Sequence, residues 1–549
     1  MTDTKRSIRR LLSLLLCAAV LAMPAYAAKK TEEEEEIGGD LAEDLQGNIV
    51  GTEGGTYAEF DDSMLEADVR IGYTAQPSSI LNPYFNTEND YISLNQLVFE
   101  PMVSLDDEQK PVPMLADTWE HTDTEWTFHL RSGVKFHDGT EMTAYDVEAS
   151  YNQCLKAPEL NSYAVRLTQW VQSLTAVDEN TVSVVSTYTG YMTLYAMNFP
   201  VVQASTVDYD LPNGTGPFKY VSFKASYAIR LERNEYWWQK SPTIDSITFI
   251  YYENASAEIE ALETKDIDML ATRSIKASLS RKLSDLVSMD FGTTVYDALV
   301  PNLSDDSLAS DVNVRKAIMY AIDRSELASN VYRDMAVQSE VPILPGTWLY
   351  ESQSAVYNYS PERALQLLYE SGWQDLTGNI VLNKLKGIQL VELRLTLITY
   401  NDGTNTIRES AANLIAEYLA AVGIRVDVEV LSKESCQRRI KSDEYDLALV
   451  SYNLSEVPDF TQMFGKSGTV NFNGYGNSQM RTLVEQSLAA QDEDTLKQIY
   501  SDIQIKIVND LPIMGLLFRS GTVLSTRRLD SLAGLRAMSM YRGIEYLTN

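Results

Sequence analysis

Alternating apolar and polar residues predict short strands at several points along the chain. Residues 126–130 (WTFHL) alternate in this way, which is the pattern of a half-buried strand. The Asp-Gly pair at 138–139 then predicts a turn. Thr143, with Asp146 three positions later, has the spacing of a capping box that starts a helix. Apolar residues continue at helical spacing, so we predict a helix that ends near the Ala-Pro pair at 157–158.

A strand–helix–strand pattern lies in the second half of the chain. Residues 393–399 alternate, residues 409–422 place their apolar residues on one helical face, and residues 424–431 alternate again. Gly423 stands where the helix is expected to end. This order predicts a β-α-β unit with parallel strands and a right-handed crossover.

Strands and helices interleave elsewhere as well. The same patterns predict strands at residues 68–73 and 445–452, and helices at residues 311–323 and 363–369. Interleaving of this kind indicates an α/β or mixed fold class. A chain of 549 residues is compatible with two to four domains.

The N-terminus has the pattern of an export signal. Four basic residues precede an apolar run at 11–22, and residues 25–27 (AYA) form a small-x-small cleavage site. Cys17 raises the alternative of a lipid anchor, but Leu16 stands where a lipidation box requires a small residue. We therefore expect residues 1–27 to be a cleaved signal peptide and the protein to be extracytoplasmic, with lipid anchoring at Cys17 or an uncleaved anchor less favoured. No later segment approaches the roughly 20 apolar residues that a membrane span needs.

Charge and cysteine content narrow the class of protein further. The formal net charge of −32 disfavours nucleic acid or an anionic membrane surface as a partner. Residues 28–66 are rich in glutamate and glycine and are expected to be an acidic, disordered spacer. Beyond the signal only Cys154 and Cys436 remain, which we expect to be buried free thiols rather than a disulfide scaffold.

The sequence contains none of the usual catalytic, metal or nucleotide motifs. The glycine sequence at 214–219 lacks the third glycine of a dinucleotide fingerprint, and Phe460 stands where a P-loop has its first glycine. The three histidines, His121, His129 and His137, have no partner three or four residues away. We therefore predict no catalytic residue, no cofactor and no metal ligand.

Several longer stretches carry a family resemblance that extends over about residues 69–530. They are LVFEPMVSLDDEQKPVPMLADTWE (97–120), F.LR.GVKFHDGT.MTA.DV (128–147), GTGPFKYVSFKASYAIRLERNEYWW (214–238), DVNVRKAIMYAIDRSEL (311–327), YSPERALQLLYESGW (359–373), RESAANLIAEYLAAVGIRVDVEVL (408–431) and FNGYGNSQMRTLVEQSLAAQD (472–492). In this order the chain resembles the bacterial extracytoplasmic solute-binding proteins of family 5, which serve ABC importers of oligopeptides, dipeptides and nickel.

The resemblance implies an α/β fold of the periplasmic-binding-protein-like type II (class C). Two lobes are joined by a two-strand hinge, and a smaller domain is inserted into the first lobe. On that template residues 67–102, 213–305 and 513–549 form lobe I, residues 103–212 the inserted domain, and residues 306–512 lobe II.

The implied function is that of the substrate-binding subunit of an ABC importer, with no enzymatic activity. Such a protein captures peptides or a peptide-like solute by lobe closure and delivers it to permease subunits in the membrane, and we expect a monomer. Three alternatives stay open: an oligosaccharide or other uncharged solute, a secreted hydrolase, and a sensory solute receptor.

Peptide-binding members of the family commonly carry a Trp-x-x-Asp-Tyr-x-Asp-Pro pattern after the strand equivalent to residues 445–451. Its first aspartate anchors the amino terminus of the peptide. Here Tyr452 takes the tryptophan position and Ser455 the aspartate position, so that carboxylate is missing. Either Glu456 replaces it, with Asp459 as a weaker candidate, or the ligand has no free amino terminus at this point. Glu456 is equally well explained as an ordinary loop acid.

The resemblance also suggests further residues that contact the ligand. Asn82, Tyr84 and Asn86 follow the first strand, in a loop that lines the cleft in relatives. Tyr452 and Asn453 offer an aromatic wall and an amide.

Overall fold

The structure is a computed structural model that describes residues 60–75, 78, 80–158, 161–401, 406–466 and 468–548. The expected signal peptide, Cys17 and the spacer up to residue 59 lie outside the described residues. Within the described part, none of the helices combines the length and apolar character that a membrane span requires.

The described residues form nineteen strands and thirteen α-helices. The strands are β1 Val69–Tyr73, β2 Val103–Leu105, β3 Pro111–Pro113, β4 Ala116–Thr122, β5 Glu125–Leu130, β6 Val171–Asp178, β7 Thr181–Ser186, β8 Phe218–Lys224, β9 Ala228–Arg233, β10 Ser246–Tyr251, β11 Met269–Thr272, β12 Val287–Pro301, β13 Ala336–Gln338, β14 Asn383–Lys386, β15 Gln389–Glu392, β16 Arg394–Asn401, β17 Arg425–Ser432, β18 Leu447–Asn453 and β19 Met514–Ser525. The helices are α1 Asn89–Asn95, α2 Ala144–Cys154, α3 Ser162–Trp170, α4 Thr193–Ala196, α5 Ala255–Glu263, α6 Val312–Ala321, α7 Arg324–Asn330, α8 Pro361–Glu370, α9 Ile407–Ala421, α10 Lys433–Lys441, α11 Thr461–Phe464, α12 Ser478–Ala489 and α13 Glu493–Asp510.

These elements separate into two compact units. We name the described residues 60–293, 488–496 and 520–548 the first unit, and residues 294–487 and 497–519 the second unit. The chain therefore passes between the units four times, within β12, α12, α13 and β19.

The first unit contains a mixed sheet and a smaller antiparallel sheet. In the mixed sheet β1 lies between β10 and β11 and runs parallel to both, while β9 and β8 continue beyond β10 as antiparallel strands. The smaller sheet has the order β4-β5-β7-β6. Helix α5 connects β10 to β11, and its buried Ile259 and Leu262 pack with Ile267 and Leu270.

The second unit contains the predicted β-α-β unit. Strand β16 runs parallel to β17 and to β18, and α9 connects β16 to β17. Strand β12 pairs antiparallel with β18 on the other side. The parallel register from Arg394 opposite Arg425 to Asn401 opposite Ser432 confirms the predicted parallel pairing.

The local predictions around residue 143 are also confirmed. Strand β5 precedes helix α2, and the capping box is formed, with the Thr143 backbone N–H donating to Asp146 Oδ2 at 2.8 Å. Cys154 and Cys436 are buried free thiols, as expected.

The last part of the predicted spacer is structured. Residues 60–66 contain a 3-10 helix at Asp62–Leu65, and the Phe60 ring packs edge-on against the Tyr227 ring at 5.6 Å. Arg230 Nη1 donates to the carbonyl oxygen of Glu66 at 2.7 Å. The spacer predicted up to residue 66 is therefore corrected at its C-terminal end, because residues 60–66 pack against β9 and the chain around Tyr227.

Candidate ligand-binding site

The parallel strands of the second unit end in a group of polar side chains. Tyr400 lies near the carboxyl end of β16, Ser451 near that of β18, and Arg408 in the first turn of α9. In open α/β sheets, ligands bind in the crevice outside the carboxyl ends of the strands. This edge is therefore the candidate site of the second unit.

Arg408 is held in one orientation by its neighbours. Its guanidinium carbon lies 3.9 Å from the centroid of the Tyr400 ring, which is the geometry of a cation–π contact. Nε donates to the Tyr400 carbonyl oxygen at 3.3 Å, and Nη1 donates to Ser451 Oγ at 3.0 Å.

Asp297 on β12 is the buried acid of this group. Its side chain is fully buried and accepts from Arg519 Nε at 2.9 Å, from Arg519 Nη2 at 3.2 Å and from the Tyr332 hydroxyl at 2.7 Å. The Ser451 hydroxyl donates to the other side of the same carboxylate at 2.5 Å. Charge-assisted bonds of this kind are strong and directional, so the carboxylate and the guanidinium fix each other.

Ser451 connects the two arginines. Its hydroxyl oxygen accepts from Arg408 Nη1 and, at 3.1 Å, from Arg519 Nη2. Burial acts to lower the pKa of Arg519, but the Asp297 carboxylate more than offsets this and raises that pKa. We name Asp297, Tyr332, Arg408, Ser451 and Arg519 the Asp297 network.

The Asp297 network presents rigid donors rather than a reactive group. Ser451 Oγ donates to the Asp297 carboxylate and accepts from the guanidinium groups of Arg408 and Arg519, so its hydrogen bonds hold neighbouring side chains in place. Fixed donors beside an aromatic ring are suited to holding carboxylate or carbonyl oxygens of a solute.

Sequence reasoning missed this network. Arg408 had a usable signal, because it follows the first strand of the predicted β-α-β unit, and Ser451 had a weaker one, because it lies near the end of a predicted strand whose pairing was not predicted. Asp297 and Arg519 had none, since they are 222 positions apart in the chain.

Tyr452 and Asn453 occupy different environments. The Tyr452 ring is buried, stacks on Phe472 with 5.5 Å between centroids, and has its pKa raised by burial. Asn453 is exposed, and its Oδ1 accepts from Thr294 Oγ1 at 2.9 Å. Their contact with a ligand stays a prediction.

The loop that follows β18 holds the remaining predicted residues of the second unit. Ser455 is exposed, and its Oγ accepts from the Val457 N–H at 3.2 Å. Asp459 accepts from the backbone N–H and the hydroxyl of Thr461, at 2.8 and 2.7 Å, at the start of α11. Glu456 is half-buried. Glu456 is thus next to Ser455, the residue at the position of the missing aspartate, in the same loop.

Asn82, Tyr84 and Asn86 lie together in the first unit and are buried. Asn82 Nδ2 donates to two backbone carbonyl oxygens at 2.9 Å, and the Tyr84 hydroxyl donates to the Pro200 carbonyl oxygen at 2.7 Å. Asn86 Nδ2 donates to the Ile80 carbonyl oxygen at 2.9 Å. These bonds shape the loop, and direct contact with a ligand stays a prediction for all three.

The histidines have ordinary environments. His137 is buried with Nε2 3.2 Å from the Gly216 carbonyl oxygen, and burial lowers its pKa to about 4. The His121 ring stacks on Trp126 with 4.0 Å between centroids, while His129 is exposed. In the part of the chain that the structure describes, no group of three or more His, Cys, Asp or Glu side chains is placed to hold a metal ion.

The fold is an α/β architecture in two units, and a family model identifies the class of protein. The model described as "Bacterial extracellular solute-binding proteins, family 5 Middle" matches residues 110–472. The chain belongs to the family 5 bacterial extracellular solute-binding proteins. This confirms the resemblance, and the family consists of binding proteins rather than enzymes.

Individual relatives extend the match over most of the chain. The oligopeptide-binding protein AppA of Bacillus subtilis is 24% identical over 486 residues, covering 84% of this chain and 88% of AppA. The dipeptide-binding protein of Escherichia coli is 24% identical over 447 residues, covering 73% of this chain and 80% of the relative. The crystal structure of a nickel ABC transporter protein from Bacillus halodurans is 22% identical, with a TM-score of 0.74 over 88% of this chain and 99% of that one. The fold is therefore the type II binding-protein fold that the sequence predicted.

Proposed function

We propose that the protein is the substrate-binding subunit of an ABC importer and that its solute is a peptide or a peptide-like molecule. The observation that carries the proposal is the Asp297 network, which fixes the guanidinium groups of Arg408 and Arg519 at the carboxyl ends of β16 and β18. Such donors match the carboxylate and carbonyl oxygens of a peptide backbone. The relatives named for oligopeptides and dipeptides support the same class of solute.

Capture would follow the family's mechanism. A solute shifts an open–closed equilibrium only by its differential affinity for the closed state, and the loaded protein then delivers it to the membrane permease. We propose that residues 1–27 are a signal peptide that directs export and that the protein acts as a monomer. We also propose that its lobes have the boundaries that the resemblance implies. The absence of any histidine after His137 argues for a peptide rather than a nickel complex.

Glu456 is the proposed anchor for the amino terminus of the peptide. A buried ammonium group without a carboxylate partner would cost several kcal/mol, and the family's aspartate position holds Ser455 here. Glu456→Gln should then weaken binding of a peptide with a free amine by roughly 2–5 kcal/mol.

Titration calorimetry tests both parts of the proposal. A panel of dipeptides to nonapeptides, each with a free and with an acetylated amino terminus, is titrated into the wild type, Glu456→Gln and Glu417→Gln. Glu417 is an exposed acid on α9 and serves as the matched control. The proposal is supported if the wild type and Glu417→Gln bind free-amine peptides with micromolar or tighter affinity. Acetylation of the peptide and the Glu456→Gln substitution should each abolish that binding. No binding by any peptide contradicts the solute class, and equal binding by Glu456→Gln removes the anchor.

An uncharged solute such as an oligosaccharide is the second candidate. Ser455 in place of the anchoring aspartate favours it, and so does Asp459, whose carboxylate already accepts two bonds from Thr461. The same calorimetry with neutral oligosaccharides separates the two, because their binding should be unchanged in Glu456→Gln.

A further inference from the structure

A buried glutamate in the first unit lacks hydrogen-bond partners. Glu258 lies in the first turn of α5 and is 1% exposed. Neither of its carboxyl oxygens has a hydrogen-bond partner among the described residues. Most buried side-chain polar atoms in proteins have at least one partner, so this group requires an explanation.

The adjoining strand is shaped around this side chain. Gly72 on β1 faces Glu258, and a Cβ atom at Gly72 would lie 2.8 Å from Glu258 Cγ and 2.7 Å from Ile267 Cδ1. The end of β1 therefore leaves room for a carboxyl group but provides no donor for its charged form.

The guanidinium group of Arg273 interacts with two acids, Asp90 and Glu258. Arg273 follows β11, and its Nη2 lies 2.8 Å from Oδ1 of Asp90, a buried residue on α1. Asp90 and Arg273 both act electrostatically on Glu258. The other titratable groups around Glu258 are two tyrosines, Tyr252 after β10 and Tyr541 near the C-terminus.

We propose that Glu258 is a proton site built into the first unit: its carboxyl group keeps a proton in the native protein, and loss of that proton draws Arg273 away from Asp90 and loosens residues 80–88, which precede α1. Burial raises the pKa of Glu258 to about 8, the charge of Asp90 adds to the rise, and Arg273 opposes it. At neutral pH the folded protein therefore holds the proton.

Residues 80–88, just before α1, are the part that this change would reach. They include Asn82, Tyr84 and Asn86, and nearby the backbone N–H of Ser78 donates to the hydroxyl of Tyr91 on α1 at 3.1 Å. Asp90 precedes Tyr91, so a weakened Asp90–Arg273 ion pair releases the helix that holds this loop. The inference does not depend on which solute the protein binds.

The direction of the pH dependence follows from linkage. An ordinary glutamate titrates near 4.5, so between that pH and about 8 the unfolded chain has lost the proton while the folded protein keeps it. The stabilisation is fully present below pH 4.5 and is lost as the pH rises to about 8. Relative to Glu258→Gln, the folding equilibrium constant of the wild type should fall about tenfold per pH unit, or about 100-fold between pH 5.5 and 7.5.

Denaturant unfolding of the intact protein from pH 5.5 to 9 provides the test. It compares the wild type with Glu258→Gln and with Glu260→Gln, an exposed acid two positions away on the same helix. We expect Glu260→Gln to follow the wild type and Glu258→Gln to lack the pH-dependent loss. Parallel pH profiles for the wild type and Glu258→Gln would overturn the proposal.

Hydrogen exchange of the wild type gives a second readout that does not rely on the Glu258→Gln variant. After correction for intrinsic exchange rates, protection of peptides within residues 80–95 should fall at least tenfold between pH 7 and pH 9.5. Protection of peptides within residues 394–432 of the second unit should stay constant. Equal behaviour of the two segments would contradict the proposed switch.

Discussion

The two units treat a buried acid at the carboxyl end of their parallel strands in opposite ways. In the second unit Asp297 accepts from Arg519, Tyr332 and Ser451, so its charge is fully matched. In the first unit Glu258 is equally buried, and no described residue donates to it. Both carboxyl groups are buried, but only Asp297 has hydrogen-bond donors around it. Burial therefore leaves Asp297 with a stabilised charge and disfavours the charged form of Glu258.

Glu100 supports this explanation from within the first unit. It is 2% exposed, and it accepts from Thr215 at 2.8 Å, from Trp237 at 3.0 Å and from Trp238 at 2.9 Å. Burial raises the pKa of Glu100 to about 6, and these donors limit the rise. Burial raises the pKa of Glu258, which has no such donors, to about 8.

Removing the acid of the Asp297 network should give the largest effect. Asp297→Ala leaves the Arg519 guanidinium largely buried without its carboxylate, and we expect a loss of about 3–5 kcal/mol in the free energy of unfolding. Urea unfolding measures the loss, with Asp305→Ala as an exposed control in the same unit. A cost below about 1 kcal/mol would mean that the network does not hold a buried charge.

Removing one donor should give an intermediate effect. Tyr332→Phe deletes the hydroxyl that donates to Asp297 at 2.7 Å and keeps the ring, so we expect a loss of about 1.5–3 kcal/mol. Tyr369→Phe, at an exposed tyrosine on α8, is the matched control for the same unfolding measurement. If the two variants are equally stable, the Tyr332 hydroxyl does not contribute to stabilising the buried Asp297 carboxylate.

Filling the space beside Glu258 should give the smallest effect. The Cβ of Gly72→Ala would lie 2.8 Å from Glu258 Cγ, and overpacking of this kind typically costs about 1–3 kcal/mol. The double variant Gly72→Ala with Glu258→Ala should recover part of that loss, since it removes one of the two colliding groups. Strictly additive unfolding free energies would show that Gly72 and Glu258 are independent.

The sequence predicted individual strands and helices correctly but did not predict the Asp297 network. Capping at Thr143 and the periodicity of residues 409–422 are local signals, and the structure confirms both elements. The pairing of Asp297 with Arg519 depends on how β12 and β19 come together, which no local pattern encodes. Recognition of the family supplied the fold but not these residues.

Tyr452 shows the limit of alignment to a motif. Its position matches the family's tryptophan, and the sequence suggested an aromatic wall for the ligand. Side chains alternate along a strand, so Ser451 and Tyr452 point to opposite faces of β18. Ser451 joins the Asp297 network, while Tyr452 packs on Phe472.

Native mass spectrometry of the protein purified without refolding tests the central claim most directly. The account predicts a one-to-one complex with a co-purified peptide or peptide-like molecule, released with its mass unchanged after denaturation and bound again on return to the empty protein. Failure to retain any member of a broad peptide library, or recovery of the solute with an altered mass, would contradict the account.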